Sequence, residues 1–230
     1  MRLRNQLRAA SAGVLALGLG VVFSANAGAA TPHFFGDHAP RTALFVETDA
    51  TAGNSVLSYR QASDGTISFS GSYATGGLGA TAAGATADPL ASQDGLVLAN
   101  HGANLIATNP GSDTITVFAV DGTHLYVQQQ LPSGGLFPDS IATSGNLVAV
   151  LNAGGAGSVA EFQWFGGHLV ALPGQVRSLG LSNATLPDFH HGPGEVAYTP
   201  NGQDLIVTQP QHVLHTGATP VELARDGAHV

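Results

Sequence analysis

One unit recurs along this chain: a short apolar run, a turn of Gly, Asn and Asp, then an alternating run that ends on an aromatic ring. It occurs as Ala43-Leu-Phe-Val-Glu-Thr48, Asp49-Ala-Thr-Ala-Gly-Asn54 and Ser55-Val-Leu-Ser-Tyr59. It returns as Asn104-Leu-Ile-Ala-Thr108, Asn109-Pro-Gly-Ser-Asp113 and Thr114-Ile-Thr-Val-Phe118, and again as Asn146-Leu-Val-Ala-Val-Leu151, Asn152-Ala-Gly-Gly-Ala-Gly157 and Ser158-Val-Ala-Glu-Phe162. β-branched residues on a two-residue period bounded by turn formers read as β-hairpins. Tyr59, Phe118 and Phe162 fall at the same place in their units, so the hairpins share one register.

Each hairpin gains neighbours. Asp64-Gly65, Asp121-Gly122 and Gly166-Gly167 can take the positive φ of tight turns and lead into Thr66–Phe69, His124–Val127 and His168–Ala171. Strands at Gly95–Ala99 and Asp139–Thr143 precede the second and third units. Four short antiparallel strands, repeating at roughly 42 to 60 residues, are the pattern of propeller blades. The expected fold is all-β, with about three to four propeller-like blades in an incomplete ring. Two facing sheets with similar turn spacing are the alternative. Two stretches lengthen the period: the low-complexity run Thr75–Ala87, and Leu179–Gly194, which carries two prolines. A fourth unit opens with Glu195–Thr199, Pro200-Asn-Gly202 and Asp204–Thr208, after which Gln209–Pro220 departs from the pattern. The expected organisation is residues 1–30 as a leader, 31–208 as the partial propeller and 209–230 as an atypical tail.

Arg2, Arg4 and Arg8 precede an uncharged apolar stretch, Ala9–Ala25, and the small-x-small patterns Ala25-Asn-Ala27 and Ala27-Gly-Ala29. This is the layout of a cleaved signal peptide, and it implies a secreted, extracellular protein. The apolar run is shorter than the roughly 20 residues of a membrane-spanning helix. The chain has no Cys, so packing and hydrogen bonds rather than disulfides must hold it together. It has 15 acidic residues against 7 arginines and no lysine. Such a surface gains little by counterion release, which argues against nucleic acid and anionic membranes as partners. Blades with open strand edges predict self-association.

The units resemble the lactonase family of seven-bladed β-propellers, the group of 6-phosphogluconolactonases and carboxymuconate-cyclising enzymes. Asn109–Phe118, Leu147–Ala153 with Gly157-Ser-Val159, and Gly194-Glu-Val-Ala-Tyr-Thr-Pro-Asn-Gly202 carry the resemblance over about residues 43 to 208. It implies a lactone hydrolase or cyclase acting on sugar acids or muconates at a central channel, usually without a metal and with no cofactor. Gly194 stands where members commonly place a His, and His190 and His191 lie just upstream. About 200 residues after the leader suffice for about four blades at forty-odd residues each.

The polar cluster Asp188-Phe-His190-His191-Gly-Pro-Gly-Glu195 is the candidate chemistry. A His beside a carboxylate can act as general base on water attacking a lactone carbonyl. His191 and Glu195 are therefore the candidate catalytic pair, with Asp188, His190, His101 and Asn152 as candidate binding residues. Solvated loop imidazoles and structural turn residues are the competing reading. The histidines and Asp188 show no spacing typical of a metal site, and no Gly-x-Ser-x-Gly elbow is present. Three functions follow: a lactonase-like hydrolase, a non-catalytic extracellular binding propeller, or a truncated inactive fragment.

Overall fold

The computed structural model describes residues 42–209 and the strand at 221–224. The expected signal peptide and most of the atypical tail, with His212 and His215, lie outside the described residues. Fourteen strands among the described residues form four antiparallel sheets in chain order. The first holds β1 (Thr42–Glu47), β2 (Ser55–Gln61) and β3 (Ile67–Ala74). The second holds β4 (Leu96–Ala99), β5 (Asn104–Asn109), β6 (Thr114–Asp121) and β7 (His124–Pro132). The third holds β8 (Pro138–Ser144), β9 (Leu147–Asn152), β10 (Ser158–Phe165) and β11 (His168–Ser178). The last holds β12 (Glu195–Tyr198), β13 (Asp204–Thr208) and β14 (Val221–Ala224). β14 lies within the 209–230 segment and pairs with β13.

These are propeller-like blades. Each sheet is a meander whose strands alternate between two faces, so one face meets the preceding sheet and the other meets the next. Val56 of the first sheet packs on Leu105, Ala107, Phe118 and Leu125 of the second. Ile106, Ile115 and Val117 of the second pack on Val148, Val150, Phe162 and Leu169 of the third. Ala149, Leu151 and Val159 of the third pack on Val196, Leu205 and Val207 of the last. Three successive sheet-on-sheet cores leave no place for two facing sheets, the alternative raised by the turn spacing.

The repeat extends to a defect in the ladder. The register shifts at Ser58/Tyr59, at Val117/Phe118 and at Ala160/Phe162, the same point in three sheets, just before or at the aromatic residue. Unpaired residues on the outer strand there, one in the first two sheets and the stretch 172–175 in the third, sharpen the local twist, so the outer strand of these three sheets turns relative to the inner ones.

β1, β5, β9 and β13 all finish at one end of the sheets, where β4, β8 and β12 begin. Both long inserts lie at that end. The first insert crosses the β1–β2 and β5–β6 turns, with Asn54 N donating to Gly77 O (2.9 Å) and Gly111 N to Leu78 O (2.9 Å). It then meets the second insert: Ala83 N donates to Pro187 O (2.9 Å) and Phe189 N to Ala83 O (2.9 Å). Ala80, Ala82, Leu90, Phe137 and Ala153 form a small apolar layer beneath them. The low-complexity run is thus a tied-down cap over one end of the blades. Its small residues allow that, since a Cβ on Gly79 would collide with the Asp49 backbone.

Candidate functional site

At the insert end, residues 187–192 form a tight turn. His191 N and Gly192 N donate to Asp188 O (3.1 and 2.9 Å). The Asp188 carboxylate folds back over the turn, its Oδ1 accepting from His190 N (2.8 Å) and lying 2.9 Å from His191 Nδ1. Local sequence causes this, because an Asp side chain caps backbone N–H groups two residues on. The His190 N–H bond above all holds the Asp188 carboxyl below its ordinary range; desolvation opposes it, and the two histidines add to the lowering. It stays ionised over a wide pH range and orients the imidazole. With Nδ1 donating to Asp188, Nε2 is the basic nitrogen of the ring.

The side chains of His191 and Asp188 are 61% and 50% exposed, so water and solutes reach the pair. His190 turns its ring edge-to-face against Phe189, centroids 5.0 Å apart. Glu195 is half-buried at the start of β12. Just before it, Gly194 O accepts from Gln93 N (2.8 Å), which ties the turn to the first insert.

The structure brings Asp188, His190 and His191 into one turn and sets Glu195 just beyond it. The other two candidates lie elsewhere. His101 is in the 3-10 turn Asn100–Gly102 between β4 and β5, at φ 57 and exposed, at the opposite end of the second sheet. Asn152 ends β9 at the insert end but is fully buried. Its Nδ2 lies 3.4 Å from both Ser133 O and Val150 O, and its Cβ lies 2.6 Å from where a Cβ on Gly135 would stand. That is a packing position. Asn109 repeats it in the second sheet, lying against Gly77 and donating to Thr116 Oγ1 (2.9 Å).

A second feature has no counterpart in any sequence motif. Glu47, Asp49, Asp94 and Asp139 gather at the insert end with Asp88 in the cap above them. A Cβ on Gly95 would stand 3.3 Å from Thr108 Oγ1, 3.5 Å from Glu47 Oε2 and 3.6 Å from Asp139 O, so one point touches the first three sheets. Asp139 is 1% exposed, and neither carboxyl oxygen has a hydrogen-bond partner among the described residues. Burial, and secondarily the charge of Asp88, push Asp49 up to about 6. Burial raises Asp139 well above the carboxylate range against the opposing pull of its own backbone amide dipole, and it raises Asp94 too. Glu47 is also raised well above that range, by burial and then by Asp49, although Asn54 Nδ2 donates to its Oε1 (2.7 Å). Arg60 and Arg177, the arginines of the described residues, both lie away from this end: Arg60 near the far end of β2, Arg177 on the outer strand β11. Burial of carboxyls without a cation favours the protonated form. Each carboxylate stands alone in its stretch of sequence, so only the fold reveals the group. Among the described residues, no group of three or more His, Cys, Asp or Glu side chains is placed to hold a metal ion.

No protein-family model matches the sequence, and no curated protein matches it. Solved structures do. The periplasmic gluconolactonase of Pseudomonas aeruginosa is 20% identical with a TM-score of 0.51, over 74% of this chain and 47% of that one. A Bacteroides fragilis protein proposed to be a 6-phosphogluconolactonase is 20% identical with a TM-score of 0.49, over 73% of this chain and 45% of that one. A gluconolactonase of Xanthomonas campestris is 17% identical with a TM-score of 0.36, over 69% of this chain and 42% of that one. The first of these likenesses bears out the propeller fold. The chain spans less than half the length of each.

Proposed function

We propose that this chain is an exported hydrolase of sugar lactones, with His191 as general base and Asp188 as the group that positions it. The observation that carries the reading is the Asp188–His191 pair, 2.9 Å apart, on a turn open to solutes at the end of the blades. The gluconolactonase named among the structural neighbours supplies the substrate class. The N-terminal Arg cluster, apolar run and small-x-small pattern support export.

The chemistry is simple and balanced. His191 Nε2 takes a proton from water as the water oxygen bonds to the lactone carbonyl carbon. The tetrahedral oxyanion collapses, the ring C–O bond breaks, and its oxygen takes the proton back from the imidazolium. The product is the open hydroxy acid. Asp188 stabilises the imidazolium formed in between. Glu195, just beyond the turn, accepts a hydrogen bond from the attacking water or from a sugar hydroxyl.

Hydrolysis of γ- and δ-lactones of sugar acids, followed at constant pH by base uptake, tests this. His191→Ala should lower kcat/KM by about 10²–10⁴-fold with an unchanged far-ultraviolet spectrum. Equal rates in His191→Ala would remove the base, and no turnover by the unaltered chain would remove the hydrolase reading. One observation favours a second reading, a binding propeller without catalysis: the pair sits on an outward turn rather than inside a water-excluding cleft. Saturable lactone binding without turnover would assign the chain to it.

A further inference from the structure

We propose that residues 80–94 of the first insert form a proton-controlled lid, closed while the carboxyls beneath it are protonated and released from the blade ends as they ionise. The stretch is anchored at both ends. Gly79 N donates to Ala50 O (3.0 Å), and Gly95 O accepts from Thr108 N (3.0 Å). Between these anchors the lid grips the blades lightly. Ala80, Ala82 and Leu90 are its share of the small apolar layer, and Leu90 is the largest apolar side chain in the stretch. Hydrogen bonds supply the rest: Ala83 N to Pro187 O (2.9 Å), Ser92 Oγ to Asp139 O (2.7 Å), Gln93 N to Gly194 O (2.8 Å) and Ile141 N to Asp94 O (2.9 Å). Ala91 and Asp94 are held at φ 57 and 61, and for Ala91 this left-handed backbone is strained. Opening relieves it.

The carboxyls come from separate elements. Glu47 ends β1, Asp49 follows in the β1–β2 turn and Asp139 lies at the start of β8, while Asp88 and Asp94 belong to the lid. Asp139 is 1% exposed, and neither its two carboxyl oxygens nor Asp49 Oδ1 has a hydrogen-bond partner among the described residues. The charge of Asp88 acts on both Asp49 and Asp139, so the lid's own carboxylate opposes ionisation of the two beneath it. Asp49 acts in the same way on Glu47. Around Asp139, β12 brings Glu195 at its start, and the β5–β6 turn brings Asp113, which accepts from Phe137 N (2.8 Å). The second insert brings Asp188, His190 and His191, whereas β4, β5 and β9 bring no titratable side chain. Ionising the group in place sets like charges side by side out of water, which the few contacts of the lid cannot offset. Lifting the lid returns the carboxyls to solvent.

Proton linkage sets the direction. Carboxyls raised in the closed form favour closure fully below their open-state value, near 4, and that preference is lost as pH rises through their closed-state values. Asp49 is pushed up to about 6, and Asp139 and Glu47 stand well above the usual carboxylate range. The lid is therefore closed in mildly acidic solution and opens as pH climbs through about 6 and beyond. Its bonds from Ala83 to Pro187 and Phe189, and from Gln93 to Gly194, also brace the Asp188–His191 turn, so opening frees that turn. That consequence for turnover rests on the lactonase reading; the lid itself does not.

Hydrogen exchange of the full chain across a pH series from about 5 to about 8, spanning the Asp49 value and corrected for intrinsic exchange, tests the lid. Protection of the Ala83 and Gln93 amides should fall by about tenfold per pH unit for each carboxyl that ionises. At the alkaline end they should be open while Val150 in β9 stays protected. Asp139→Asn should raise lid protection there by roughly tenfold or more. Glu47→Gln, which still accepts from Asn54, should act in the same direction and guards against an Asp139 variant that fails to fold. Asp121→Asn, exposed at the far end of β6, should change nothing. Lid amides equally protected across the series overturn the proposal, as does a pH response that both variants leave intact. Ala83 protection equal to that of Val150 at the alkaline end also overturns it, because the insert would then leave only when the whole fan unfolds. None of these readouts is turnover, so failure of the lactonase reading leaves the test intact.

Discussion

Asp139 has a nearly inaccessible carboxyl whose two oxygens have no hydrogen-bond partner among the described residues, and Asp88 adds negative charge near it. A carboxyl whose folded pKa is raised contributes stability that is complete below its unfolded value, near 4, and is lost as pH rises through the folded value. For Asp49 that window runs from about 4 to about 6, and Asp139 and Glu47 extend it upward. Asp188 works in the opposite sense, below pH 4, and weakly because it is exposed. Urea midpoints should therefore fall between pH 5 and pH 8. Asp139→Asn should flatten that slope and stabilise the chain at pH 8 by about 1–3 kcal/mol. A loss of stability at pH 8 in this variant would sink the account. Gly135 gives a purely steric counterpart: a Cβ there would stand 2.5 Å from Ser158 Oγ and 2.6 Å from Asn152 Cβ. Gly135→Ala should cost about 1–3 kcal/mol in chemical denaturation. Thr75-Gly-Gly77 and Ser133-Gly-Gly135 repeat in the sequence, which does not show that each second glycine lies against the Asn of the following sheet, Asn109 and Asn152. The Asp188–Glu195 cluster was legible because it is local, although the sequence pairs His191 with Glu195 and the turn sets its ring against Asp188 instead. The acidic group was not, since it joins positions up to about ninety residues apart.

The elements were legible because each strand obeys the two-residue period and each turn carries its own chemistry. Predicted strands at 43–48, 104–108, 114–118 and 146–151 begin within a residue of β1, β5, β6 and β9, and β6 runs on to Asp121. Tyr59, Phe118 and Phe162 occupy one position in three sheets, and there the repeat decides packing: Phe118 and Phe162 each fill the groove beneath the preceding blade. What alternation could not show is which face meets which neighbour, or that the ladder shifts beside each aromatic, because a bulge adds a residue without altering composition. Phe162, 1% exposed between the second and third sheets, is the stringent case. Phe162→Ala should cost about 3–5 kcal/mol. Tyr59→Ala, at the same position in the first sheet, where the ring is only half-buried, should cost much less. Equal losses at the two positions would mean that the first sheet is covered as the others are.

Across the described residues, the apolar cores join each sheet to its sequence neighbours, so stability is distributed nearly along one dimension, as in repeat proteins. Among the described residues, the second and third sheets are packed on both faces, while the first and last each pack on one. The cap partly offsets this, because hydrogen bonds from residues 77–95 reach the first, second, third and last sheets, including Gln93 N to Gly194 O and Ile141 N to Asp94 O. Two forces thus compete: one-sided packing lets the ends open, and the cap ties the ends to the middle. Hydrogen exchange reads the balance directly, since amides of doubly packed strands open only with the global free energy. At low concentration, β5, β6, β9 and β10 should be the slowest to exchange, β2 intermediate, and β13 faster. Breaking the cap with Gly79→Ala, which drives a Cβ into the Asp49 backbone, should accelerate β1 and β2 well before β9. Uniform acceleration would show instead that the four sheets unfold as one unit and that the cap fastens the whole fan.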